Sequence, residues 1–162
     1  MLHTLLTKLD SARPFAQVSA HCDIPCGIYD STPAQIFALS VLRYCHQIEA
    51  LTDSRADQAK LVRLVADKEK HAESVKHEVR IIWGDYFKGA LLEKYPNIHT
   101  LAHDIMLAGS AAKQHIDVEN AQKLVDLVNE FAATFWDSKG VETYRAVCPY
   151  EPKVETVYPK LG

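Results

Sequence analysis

Apolar residues recur at three- and four-residue spacing through most of the chain, the period of a helix with one buried stripe. Ile36, Leu39, Val41, Tyr44, Ile48 and Leu51 carry that period, with Ser40 on the same stripe, and predict a first helix over 33–51. Ser31-Thr32-Pro33 marks its start, with a hydroxyl for the cap and proline in the first turn. A second stripe runs through Leu61, Leu64, Val65, Ala72, Val75, Val79 and Ile82, so a long helix starts near Thr52 or Ser54 and reaches Ile82. Its other faces are heavily charged, as a solvated side requires. The aromatic turn Trp83-Gly84-Asp85-Tyr86-Phe87-Lys88-Gly89 follows, then a short helical piece with Leu91 and Leu92. Pro96 opens a third helix through Ile98, Leu101, Ile105 and Leu107, ending near Gly109 or in Ala111-Ala112. The fourth starts at Asp117 or Val118, uses Ala121, Leu124, Val125, Val128, Phe131, Phe135 and Trp136, and stops at Gly140. Residues 141–162 hold Pro149, Pro152 and Pro159 and read as an irregular tail with short extended pieces. The expected fold is all-α, an up-and-down four-helix bundle over 31–140, preceded by an irregular hook over 21–30.

Composition narrows the function by exclusion. The chain has 162 residues, 18 basic and 21 acidic, for a formal charge of -3. With no basic run it is a poor match to nucleic acid or an anionic membrane surface, so neither is an expected partner. No apolar run approaches a membrane span. Four cysteines, Cys22, Cys26, Cys45 and Cys148, do not suggest a disulfide scaffold. Cys45 is expected to pack near the core and Cys148 to be a free thiol, with a bridge between them left open.

The N-terminal thirty residues carry the chemistry. Residues 1–20 end in Val18-Ser19-Ala20, small residues of the kind a processing peptidase reads, but Lys8, Asp10 and Arg13 interrupt any export core. This segment reads either as an ordinary N-terminus or as a pro-segment cut between Ala20 and His21 without export, which places the protein in the cytoplasm. His21, Cys22 and Cys26 then put one imidazole and two thiols within six residues. A redox pair is disfavoured because its usual C-x-x-C spacing and βαβ setting are missing. A structural zinc site wants four protein ligands, and no second cysteine pair stands at a finger spacing. Reduced loop cysteines with no task are the remaining plain reading.

Cleavage before His21 alters the donor set. The new α-amine, with an ordinary pKa of about 8, can bind a metal. Together with the imidazole of His21, the amide nitrogen and thiolate of Cys22, and the thiolate of Cys26, it makes a planar nitrogen–sulfur set with one ligand above. Such tetragonal ligation suits nickel(II) or copper(II) better than zinc. The anionic donors also favour a higher oxidation state. Either a redox enzyme or a non-enzymatic nickel or copper carrier fits these residues.

The run His21-Cys22-Asp23-Ile24-Pro25-Cys26-Gly27-Ile28-Tyr29-Asp30 resembles the metal hook of the nickel superoxide dismutases. The likeness continues in Trp83-Gly84-Asp85-Tyr86-Phe87-Lys88, Glu93-Lys94-Tyr95-Pro96 and Phe135-Trp136, and so spans about 21–140. The resemblance implies a four-helix bundle, a homohexamer, one nickel ion per subunit, and disproportionation of superoxide to dioxygen and hydrogen peroxide. It implies that His21, Cys22 and Cys26 bind the metal and that Asp23 and Pro25 shape the hook. Tyr29 and Tyr86 would screen the open face and order water, and Lys88 would attract an anion at the mouth.

Two positions depart from the pattern of some family members. The acidic partner of the axial imidazole aligns with Phe37, which accepts no hydrogen bond. A basic residue that supports the imidazole from a neighbouring subunit aligns with His71. His71 or Glu73 is therefore the expected replacement partner, a change that tunes a metal site more often than it abolishes it. His77, His99 and His103 read as a surface set, since no two Glu-x-x-His pairs support a dimetal bundle.

Overall fold

The computed structural model describes residues 27–162. The leader, the expected ligands His21, Cys22 and Cys26, and Asp23 and Pro25 lie outside the described residues. The first helix, α1 (Thr32–Glu49), begins with Pro33 in its first turn, where a missing N–H costs nothing. Its cap differs from expectation. Asp30 Oδ1 accepts from Thr32 N at 2.7 Å, one residue upstream of the predicted Ser31 hydroxyl, and Ser31 Oγ is buried with no hydrogen-bond partner among the described residues. The helix ends two residues before the predicted Leu51.

Helix α2 (Arg55–Ile81) opens on a reciprocal cap. Ser54 Oγ accepts from Asp57 N at 3.1 Å, and the Asp57 carboxylate reaches back to the Thr52 amide and hydroxyl. This is the two-way logic of a capping box, satisfying orphan donors at both ends of the turn. At its far end α2 widens into a π-helical turn, Ile82–Tyr86, which carries the aromatic sequence. Such turns are inserted where a side chain must be re-aimed, and Tyr86 is its last residue. The short α3 (Ala90–Lys94) follows Gly89, whose φ of +58° favours glycine. Helices α4 (Ile98–Gln114) and α5 (Val118–Ser138) complete the bundle, the latter capped by Asp117 Oδ1 to the amides of Glu119 and Asn120.

Helix α1 packs on α2 and α5, α2 on α4, and α4 on α5, so the long helices close a square around one core. Leu42, Cys45, Val75, Val79, Ile105, Leu124, Val128, Phe131 and Phe135 fill it. Gly109 allows α4 to approach α2 closely, because a Cβ there would sit 3.0 Å from the Lys76 side chain. Lys68 is a charged residue inside this apolar frame, only 1% exposed. Its ammonium donates to the carbonyls of Ala112, Lys113 and His115, the unpaired C-terminal end of α4.

The tail is more ordered than its prolines suggest. Strands β1 (Thr143–Val147) and β2 (Glu155–Pro159) form an antiparallel hairpin with Tyr144 opposite Tyr158 and Arg145 opposite Val157. Two buried amides seat it on the bundle. Gln35 Nε2 donates to Val157 O at 2.9 Å, and Asn129 Oδ1 accepts from Val157 N at 3.1 Å. Asn129 Nδ2 donates to Glu155 O, and Gln35 Nε2 also reaches Asn129 Oδ1. The outer edge of β2 is thereby paired by helix side chains, in place of a third strand. Cys45 and Cys148 are both free and buried, which closes the question of a bridge between them.

Candidate metal centre

The described chain begins at Gly27, inside the hook sequence, and its first residues show how the end of the hook joins the bundle. Asp30 caps α1, and Tyr29 just before it turns onto the aromatic turn at the end of α2. The ring centroids of Tyr29 and Tyr86 lie 5.6 Å apart at an interplanar angle of 52°. Tyr86 is packed in turn against Phe87 at 5.1 Å and Phe135 at 5.2 Å, both edge-on. Phe87 and Phe135 are buried and belong to the bundle core. The aromatic chain thus fixes the segment after Cys26 against the rigid part of the molecule. Aromatic pairs of this geometry add about 0.5–1.5 kcal/mol beyond the area they bury.

The phenol of Tyr86 is bonded as well. Its hydroxyl is 2.8 Å from Ser138 Oγ at the end of α5. The Lys139 ammonium stands 4.6 Å from the centre of the Tyr86 ring and 5.2 Å from that of Phe135. A cation over an aromatic face is attracted by the ring quadrupole. Tyr95, from the turn before α4, donates to Asp137 Oδ2 at 2.6 Å and so ties the same end of α5. Ser138 and Lys139 were not legible as site residues in the sequence. Their only signal is that they follow the matched Phe135-Trp136 pair.

Lys88, two residues past Tyr86, is exposed. The remaining expected residues go elsewhere. His71 packs edge-on between Phe37 at 5.4 Å and Tyr44 at 5.3 Å, and its Nδ1 donates to Asp67 O at 2.7 Å. The two departures from the family pattern, Phe37 and His71, therefore touch each other within one chain. Glu73 pairs with Lys76, Arg80 and Lys113, at 3.8, 3.5 and 3.6 Å. These cations, Lys76 foremost, hold its carboxyl below the usual range. Both residues precede Tyr86 on α2 by more than a dozen positions, which is about 20 Å of helix. Within one chain, then, the structure unites Tyr29 and Tyr86 and leaves His71 and Glu73 apart from them. Among the histidines read as surface residues, His99 accepts from Trp83 Nε1 at 2.9 Å.

No cluster of three or more His, Cys, Asp or Glu side chains suited to a metal ion occurs among the described residues. The expected donors His21, Cys22 and Cys26 lie outside the described residues, ahead of Tyr29 in the sequence. Soft thiolates with nitrogen donors fit nickel.

Comparison with known proteins extends over this region. A profile of the nickel-containing superoxide dismutases matches residues 16–139. Superoxide dismutase [Ni] of Streptomyces seoulensis is 39% identical over 126 residues, which span 78% of this chain and 93% of that protein. The protein of the same name from Streptomyces coelicolor is 40% identical over the same shares. A native nickel superoxide dismutase structure superposes with a TM-score of 0.66 at 39% identity, covering 74% of this chain and 99% of the other. An apo structure of a nickel superoxide dismutase gives 0.65 at 36% identity, covering 70% and 99%. The matched profile ends before the β1–β2 hairpin. Hook, bundle and aromatic turn all fall inside the matched span, and the chain belongs to the family of nickel-containing superoxide dismutases.

Proposed function

We propose that the chain is a precursor of a superoxide dismutase, cut between Ala20 and His21 to assemble its metal site. The observation that supports this reading is the contact of Tyr29, at the end of the hook sequence, with Tyr86, which packs in turn on Phe87 and Phe135. The cofactor of the family is nickel, and His21, Cys22 and Cys26 are the residues that would hold it. Cleavage supplies the α-amine of His21, a donor that a peptide nitrogen in the uncut chain cannot match. Bound nickel supplies a one-electron couple between its divalent and trivalent states. The net reaction takes two superoxide anions and two protons to one dioxygen and one hydrogen peroxide.

The chain's own residues supply selection and order. Tyr86 rests on the buried rings of Phe87 and Phe135 and Tyr29 on Tyr86, and in this reading the pair screens the open face of the metal site and orders water there. Lys88 and Lys139 place positive charge near that wall in a protein of net charge -3. Local cations raise the encounter rate of an anion in a way that salt screens. Asp23 and Pro25 shape the hook. His71 and Glu73 are candidates to support His21 from a neighbouring subunit, since they lie away from Tyr86 of their own chain. That requires an assembly, and a homohexamer in the cytoplasm is the form this reading adopts. No helix among the described residues is long and apolar enough to cross a membrane.

The test is mass spectrometry of the purified protein with metal analysis and superoxide assay. A chain starting at His21 with one nickel per subunit and rapid superoxide removal is expected. His21→Ala and a cleavage-blocked chain are expected to be inactive. Turnover that survives in either sinks the reading, and nickel binding without turnover leaves a carrier. Light scattering of the cut protein tests the hexamer.

A further inference from the structure

The hydrogen bond between Tyr86 and Ser138 has a direction, and the second contact of Ser138 reveals it. Ser138 Oγ lies 2.6 Å from Phe135 O and 2.8 Å from the Tyr86 hydroxyl. A carbonyl oxygen only accepts, and serine has a single hydroxyl proton. That proton goes to Phe135 O. Phe135 stands in the last turn of α5, where carbonyls lack partners within the helix, so the demand on Ser138 is built into the helix end. Tyr86 is left as the donor in the bond to Ser138. The ring has little freedom to turn away, because Tyr29, Phe87 and Phe135 pack around it and the Lys139 ammonium stands 4.6 Å from its centre.

We propose that Ser138 is a positioning residue for Tyr86, fixing the phenol as a donor toward α5 and leaving its oxygen lone pairs for the site. This rests on the reading that Tyr86 faces the metal centre. Its consequence is a definite polarity. Tyr86 accepts a hydrogen bond from a water molecule in the site and keeps its own proton on Ser138. Tyr86 therefore orders the proton-carrying water and is not the proton source for peroxide. Lys139 contributes by holding the ring through the attraction of its ammonium to the aromatic face.

Ultraviolet resonance Raman spectroscopy of the full chain tests the bond directly. The tyrosine Fermi doublet reports whether a phenol donates or accepts, and subtracting the Tyr86→Phe spectrum isolates Tyr86 from the other tyrosines. A donor signature is expected in the wild type, its loss in Ser138→Ala, and its return in Ser138→Thr, which keeps the hydroxyl. A wild-type signature of acceptance with no donation overturns the proposal, as does a Tyr86 signal unmoved by Ser138→Ala. Should Ser138→Ala fail to fold, the wild-type and Ser138→Thr spectra still decide the direction. In the nickel-loaded, cut protein, Ser138→Ala is expected to lower kcat about tenfold, the scale of one misdirected hydrogen bond, and to alter its pH profile. In a Tyr86→Phe background the same substitution is expected to add nothing. An equal loss in that background overturns the positioning role. A loaded wild type with no superoxide turnover overturns the functional reading instead, and the Raman result on bond direction stands apart from it.

Discussion

Tyr29 and Tyr86 meet ring to ring at 5.6 Å, joining the end of the hook sequence to the π-helical turn that follows α2. Tyr86 is also the partner of Phe87, Phe135 and Ser138, so it sits where hook, turn and last helix converge. Truncating it removes the ring contacts, whereas Tyr86→Phe removes only the hydroxyl. Tyr86→Ala is expected to cost about 2–4 kcal/mol of stability. Tyr86→Phe is expected to cost about 1 kcal/mol. Denaturant midpoints at unchanged slope measure both, and equal midpoints for the two variants would show that the ring packing carries no weight.

Asn129 is the seat of the C-terminal hairpin. It accepts from Val157 N and donates to Glu155 O, and both bonds lie where water is scarce. Asn129→Ala leaves the Val157 amide and the Gln35 side chain short of a partner. A loss of about 2–4 kcal/mol is expected, since each buried unsatisfied group costs about 1–3 kcal/mol. Hydrogen exchange should quicken at Val157 first. Unchanged protection there would mean that apolar packing alone holds the hairpin.

Lys68 closes the end of α4 from inside the bundle. Burial pulls its ammonium below the ordinary lysine pKa, and three carbonyls compensate the charge. Lys68→Met keeps the length and apolar stem but deletes the donors. It is expected to lower the melting temperature and to destabilise the chain by about 1–3 kcal/mol. A melting temperature at or above wild type would show that desolvation of the charge cancels its bonds, as happens at some buried ion pairs.

Asp57 makes the α2 cap sensitive to acid. Hydrogen bonds from the Thr52 hydroxyl, then the Thr52 amide, then Ser54 hold its carboxyl below the ordinary aspartate value. The folded pKa is thus lower than the unfolded one. Its contribution is fully present above the unfolded value and disappears as pH falls through the folded one. Asp57→Asn is expected to flatten the acid limb of stability against pH in that window while changing the neutral value in one direction only, downward. Parallel acid limbs for variant and wild type would dismiss the cap as a titrating element.

The helices were legible because each satisfies a local rule. Pro33, Ser54 and Asp117 stand at starts, Gly140 at a stop with φ of +71°, and the apolar period between them points one face inward. The cap of α1 was misplaced by one residue, since Ser31 and Asp30 satisfy the same local pattern and burial of Ser31 decided between them. The hairpin escaped because its prolines and tyrosines carry no two-residue alternation, and its seat consists of Gln35 and Asn129 on distant helices. Of the candidate site, Tyr29 and Tyr86 were named from motifs. Ser138 and Lys139 were not, because their meaning lies in a contact across the bundle.

By itself the sequence determined the four amphipathic helices and the family, and it named His21, Cys22 and Cys26 as the expected donors. These follow from residue type and near spacing, which act through local hydrogen bonds and ligand chemistry. Only the tertiary structure decided that Tyr29 rests on Tyr86, that Ser138 meets the Tyr86 hydroxyl, that Phe37 and His71 touch, and that Lys68 ends α4 from within. Each of these depends on side chains brought together by packing of the bundle, and the strength of such contacts depends on the water that packing removes.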